Sequence, residues 1–161
     1  MNDDEIETQE KLTELLDFLA DYHPQYFDCP DGHEPYITLK NAAGKELRII
    51  FEDEITVIYD CWHDHYWIYA DSNEFEILKE NVLQLLQNEL YIFSVFLQDR
   101  WIGTMLWDEP LTRAKVKQQI GRFLKVDKNW LHQAKTCGVE ARMVYWDETK
   151  NQTVVFAPGE Y

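Results

Sequence analysis

Three apolar, β-branched runs follow one another at short range: Tyr36–Lys40, Glu46–Phe51 and Ile55–Tyr59. Only Asn41-Ala-Ala-Gly44 with Lys45, and then Glu52-Asp53-Glu54, lie between them. Gaps this short close antiparallel hairpins, because a parallel pair needs a crossover of roughly a dozen residues or more. The pattern returns at Leu90–Leu97 and Trp101–Trp107, around Gln98-Asp99-Arg100, and at Val139–Trp146 and Thr153–Phe156. Tyr66–Ala70 reads as a further strand.

Helical periodicity fills the intervals. Leu12, Leu15, Leu16 and Leu19 mark a helix over 3–22, which His23-Pro24 ends. Phe75, Leu78, Val82, Leu85 and Leu86 mark one over 74–88, and Val116, Ile120, Phe123 and Leu124 one over 112–125. A short helical turn at 129–135 precedes Gly138, and 28–35, with two prolines and a glycine, reads as a loop. Asn2 with Glu5, and Asn73 with Glu76, have the spacing of capping pairs. The fold class that follows is α+β: an antiparallel sheet of sequential hairpins with about three helices packed on it, in a single domain over 1–161. The strand–strand–helix order of 55–88 recurs in 90–125, through a local preference for such units or an internal duplication.

Composition narrows the function. The 161 residues carry a net charge of −15, yet 14 % are aromatic. Disordered acidic chains lack the aromatics to build a core, so this chain is expected to fold. Phosphate recognition rests on Lys and Arg releasing counterions, so nucleic acid and anionic lipid are expected to be excluded as partners. The acidic start and the short apolar runs read against a secretory leader or a membrane span, and three widely spaced cysteines suggest reduced thiols; the expected location is cytoplasmic.

Sequence signatures of catalysis are missing. The two serines, Ser72 and Ser94, lie outside any Gly-x-Ser-x-Gly, and there is no phosphate loop, Gly-x-Gly-x-x-Gly, His-Glu-x-x-His or Cys-x-x-Cys. The chemistry-bearing stretch is Asp60-Cys61-Trp62-His63-Asp64-His65-Tyr66-Trp67, preceded by Glu52-Asp53-Glu54. One reading makes it a docking surface, with Glu52, Asp53, Glu54, Asp60 and Asp64 rimming Trp62 and Trp67 to receive a basic protein. The alternative makes it a metal site for zinc or another divalent ion, or a metal-dependent enzyme, with His63 and His65 on one strand face and Cys61 beside them. Trp101, Trp107 and Trp146 are expected in the core, and Trp130 in either setting.

Charge is polarised along the chain. Residues 1–60 sum to −12, 61–110 to −7 and 111–161 to +4. The basic third helix either pairs with the acidic first helix within the chain or offers a contact face to a second copy, so a homo-oligomer is a further expectation.

The stretch Phe51-Glu-Asp-Glu-Ile-Thr-Val-Ile-Tyr59, Trp62-His-Asp-His-Tyr66 and the helix after it resembles a pattern in small uncharacterised bacterial proteins. In size, acidity and aromatic content the chain is similar to immunity proteins of bacterial polymorphic-toxin systems. That resemblance implies a cytoplasmic, non-enzymatic protein that covers the active site of a toxin domain; it carries over no catalytic residue, and no cofactor is expected.

Overall fold

The structure is a computed structural model that describes residues 2–28, 30–69 and 72–161. Helix α1 runs Asp3–Phe18. Asn2 Oδ1 accepts from the Glu5 amide at 2.8 Å, and the Glu5 carboxylate accepts from the Asn2 amide at 2.8 Å, completing the expected capping box. Leu12, Leu15 and Leu19 are buried and Leu16 half-buried. The helix stops short of residue 22: a 3-10 turn, Ala20–Tyr22, follows, and His23 adopts a left-handed backbone ahead of Pro24.

Strands β1 (Gln25–Phe27), β2 (Tyr36–Lys40), β3 (Glu46–Phe51), β4 (Ile55–Tyr59) and β5 (Trp62–Tyr66) make an antiparallel meander in chain order. Its register aligns Ile37, Ile49 and Val57 in one row and Leu39, Leu47 and Tyr59 in another, all buried. The alternation of strand side chains puts both rows on one face. Asn41 shapes the β2–β3 turn: its Oδ1 accepts from the Ala43 and Lys45 amides at 3.1 and 2.8 Å, and its amide donates to the Tyr59 hydroxyl at 3.4 Å.

The fourth sequence-expected strand moves. It begins at Trp62 and ends at Tyr66 rather than running Tyr66–Ala70; Ala70 lies outside the described residues. The cause is Asp60, whose φ of 55° lets β4 double back through the two residues Asp60 and Cys61. Strand β1 stands at the other edge, ahead of the region read as a loop.

Helix α2 (Glu74–Leu86) buries Phe75, Leu78, Val82, Leu85 and Leu86, and Asn81 donates to the Tyr66 hydroxyl at 3.1 Å. Its start differs from the expected Asn73–Glu76 pair. Asn73 has φ −91° and ψ 5°, not the extended conformation of a capping residue, and Ser72 Oγ accepts from the Glu74 amide instead. Lys79 ties α2 to α1: its ammonium lies 2.5 Å from Glu14, 2.8 Å from Glu76 and 5.0 Å from the centre of the Phe75 ring. Burial pulls its pKa down, but the bonds to Glu14 and Glu76 outweigh that and leave it raised.

The chain divides into two compact units, Met1–Gln87 and Asn88–Tyr161. The second contains β6 (Tyr91–Leu97), β7 (Arg100–Trp107), α3 (Arg113–Leu124), α4 (Lys128–Cys137), β8 (Val139–Val144) and β9 (Gln152–Phe156). Its sheet has the order β7-β6-β8-β9. The fold is thus α+β with antiparallel pairing, but the hairpins sort into two sheets and there are four α-helices among the described residues. Thr112 caps α3 by accepting from the Lys115 amide, and Asp127 caps α4 by accepting from the Asn129 amide. Val116, Ile120, Leu124 and Ala134 of the helices close over Phe93, Val95, Ala141 and Met143 of the strands. Gly103 makes that closure possible, since a Cβ there would stand 2.4 Å from the Phe123 ring. No helix among the described residues is long and apolar enough to cross a membrane.

Candidate functional site

The β3–β4 turn brings Glu52 and Asp53 to one end of the five-stranded sheet. The chain leaving β5 brings Trp67 and Tyr69 to the same end. There they meet the first turns of α1, Asp28 after β1, and Glu34 before β2, around a cleft of about 770 Å³. Among the described residues, six carboxylates line it (Asp4, Glu5, Asp28, Glu34, Glu52 and Asp53) and no Lys or Arg does. A neighbouring recess of about 400 Å³ shares Glu34, Glu52, Asp53 and Trp67 and adds Glu54.

Trp67 is half-exposed, and its ring meets Tyr69 edge to face with centroids 5.2 Å apart. Two contacts fix this pair. The Trp67 amide donates to the Glu74 carboxylate at the head of α2, and the Tyr69 and Thr8 hydroxyls lie 3.0 Å apart. Glu5 is engaged in the α1 cap, and Asp28 accepts from the Tyr26 hydroxyl at 3.3 Å. Among the described residues, Asp4, Glu34, Glu52 and Asp53 form no ion pair. Clustered carboxylates without counter-charges, beside low-dielectric aromatic walls, focus a negative potential. The half-exposed Trp67 face adds a surface on which a cation can rest.

The sequence-read docking residues separate into three places. Glu52, Asp53 and Trp67 line the cleft, with Glu54 in the adjoining recess. Asp60 lies at the far end of β4, six residues from Glu54 and so about 20 Å along an extended strand. There it is salt-bridged to Lys45. Burial raises its carboxyl pKa, but hydrogen bonds from Lys45 and Cys61 win and hold it below the ordinary value. Asp64 is exposed in the middle of β5, an edge strand, where a charge on the inner face discourages pairing with another sheet. Trp62 is buried at 6 % exposure, opposite Tyr59, which corrects its reading as a surface aromatic: starting the strand at residue 62 turns its ring inward.

His63 and His65 do share a face, with ring centres 5.4 Å apart. His65 Nδ1 lies 2.9 Å from Thr56 Oγ1 and 3.0 Å from Glu54 Oε1. Cys61 occupies the β4–β5 turn. Among the described residues, no group of three or more His, Cys, Asp or Glu side chains is placed to hold a metal ion. Cys61 and Cys137 form no disulfide among the described residues; Cys29 lies outside them.

The other tryptophans divide as well. Trp107 is buried as expected, whereas Trp101 is 51 % exposed. The register shift opposite Val95 and Phe96 sends Ile102 inward and swings Trp101 out, where its indole N–H donates to Thr104 Oγ1. Trp130 is half-buried against the second core.

Asp4, Asp28, Glu34 and Tyr69 of the cleft escape a sequence reading because they come from separate elements. The visible signal was a carboxylate-rich loop over 28–35 and an acidic helix start; their convergence belongs to the sheet. No protein-family model, curated protein or solved structure matches this chain.

Proposed function

We propose that the chain is a non-enzymatic binding protein of the immunity or inhibitor type, whose acidic cleft receives a basic segment of a protein partner such as a toxin domain. The observation that carries this reading is the cleft lining: among the described residues, six carboxylates, a half-exposed Trp67 and no basic residue. A lysine or arginine entering it gains the field of the carboxylates and the face of the indole, the latter worth about 0.5–2 kcal/mol. The same field speeds encounter with a cationic partner, an effect that salt weakens. The cytoplasmic location inferred from the sequence is part of this proposal.

The test is a titration with an arginine- and lysine-rich peptide, followed by tryptophan fluorescence and calorimetry, with an acidic peptide of equal length as control. Saturable one-to-one binding of the basic peptide that weakens steeply with salt is expected. Glu52→Lys with Asp53→Lys should weaken it by about tenfold or more, consistent with the coupling measured for close interfacial charges. Absence of saturable binding at low salt, or equal affinity in the double variant, would discard the reading.

A further inference from the structure

Helix α1 has an outward face that shares only Gln9 with the cleft and none of the cleft's carboxylates. Ile6, Gln9, Glu10, Thr13, Glu14 and Asp17 line a shallow furrow of about 500 Å³ along it. Their spacing sets Ile6, Gln9, Glu10 and Thr13 as one four-residue hole and Glu10, Thr13, Glu14 and Asp17 as the next. Such holes accept single side chains from a facing helix. Ile6, one corner of the first, is 42 % exposed. Glu14 is paired with Lys79, while Glu10 and Asp17 enter no ion pair among the described residues.

The opposite chemistry stands at the α3–α4 corner. Val126 is 77 % exposed, more than any other large hydrophobic among the described residues, and Leu131 is 38 % exposed. Lys125 and Lys128 flank Val126 in sequence, and Lys128, Leu131 and Lys135 fall at i, i+3 and i+7, one stripe of α4. None of these three lysines enters an ion pair among the described residues.

We propose that these two faces bind one another between copies: the α3–α4 corner of one molecule docks on the outer face of α1 of a second. Leu131 fills a hole of the furrow, and Lys128 and Lys135 meet Glu10 and Asp17 on its flanks. The occupant is a second copy because the match is made twice over. The furrow presents apolar surface between unpaired acids, the corner presents apolar surface between unpaired bases, and every molecule carries both. The contact joins two different patches, so each copy can give and receive. The proposal is independent of the cleft reading.

The experiment is sedimentation velocity of the full chain across a concentration series, at low and high salt. Wild type should associate at low salt and dissociate as salt rises. Glu10→Lys with Asp17→Lys, and separately Lys128→Glu with Lys135→Glu, should each weaken self-association by about tenfold or more, since both place like charges across the contact. Circular dichroism is expected to show unchanged folding, because all four positions are exposed. Mixing the two variants should restore association, the reversed α1 facing the reversed α4. A wild type that stays monomeric at low salt would overturn the proposal. So would association indifferent to either variant, or a mixture that fails to regain it.

Discussion

Asn41 spends all its polar atoms on the β2–β3 turn and on Tyr59, and it is buried. Asn41→Ala removes the acceptor of the Ala43 and Lys45 amides and a hydrogen bond to Tyr59. The expected loss is about 1–3 kcal/mol. For a chain of this length that lowers Tm by about 2–10 °C, measurable by thermal melting. Tyr66 gives a pH signature. Burial first, and then the nearby Asp64, push its phenol up to about 12, against the Asn81 hydrogen bond that lowers it. A folded pKa above the unfolded value means the unfolded state loses the proton first. Tyr66 therefore adds full stability below pH 10, the ordinary value, and that contribution is lost as pH climbs toward about 12. Tyr66→Phe should flatten the decline of Tm over that window; an unchanged slope would show that another group controls it. At this scale the sequence was informative for Asn2 and Glu5, whose cap depends on local spacing alone. It misled for Trp62 and Trp101, whose exposure depends on a strand start and a bulge set by the neighbouring strands.

Elements follow the same division. The bounds of β2, β3 and β4 are those read from alternation, because each has a buried face and a turn at both ends. Strand β5 was displaced because His63, Asp64 and His65 are all exposed, leaving no apolar alternation to read. Strand β1 was invisible, being three residues long with none buried. The hairpin tip between β6 and β7 offers a stabilising change: Gln98 and Asp99 both have positive φ, a conformation that favours Asn-Gly. Gln98→Asn with Asp99→Gly should gain about 0.5–1 kcal/mol in denaturant unfolding, and a loss would show that the native side chains hold the tip. Gly103→Ala should do the reverse, costing about 1–3 kcal/mol, because the Phe123 ring of α3 fills the space a methyl would need. A simultaneous Phe123→Leu change is expected to recover part of that loss, which separates crowding from a loss of strand flexibility.

For the whole molecule, the charge divides with the two units. Residues 1–87 hold 21 acids and 5 bases, net −16, and residues 88–161 hold 9 acids and 10 bases, net +1. Packing like charges at this density destabilises a fold through self-repulsion, which salt screens. Tm should therefore rise by a few degrees as ionic strength goes from about 20 to 500 mM. A fall would mean that the surface ion pairs outweigh the repulsion. The polarity of charge was plain in the sequence. The two sheets were not, because the strand that completes the second one, β8, pairs with β6 across the whole of α3 and α4. The cleft was half legible: Glu52, Asp53 and Trp67 were singled out, whereas Asp4, Asp28 and Glu34 reach it from other elements.

The split in charge also decides which half of the chain an ion-exchange resin holds. On a cationic bead the unit over 1–87, with its net charge of −16, carries nearly all the adhesion, and the unit over 88–161, at +1, adds almost none. Retention by such a resin therefore reports on changes in the first unit and is nearly blind to neutral changes in the second.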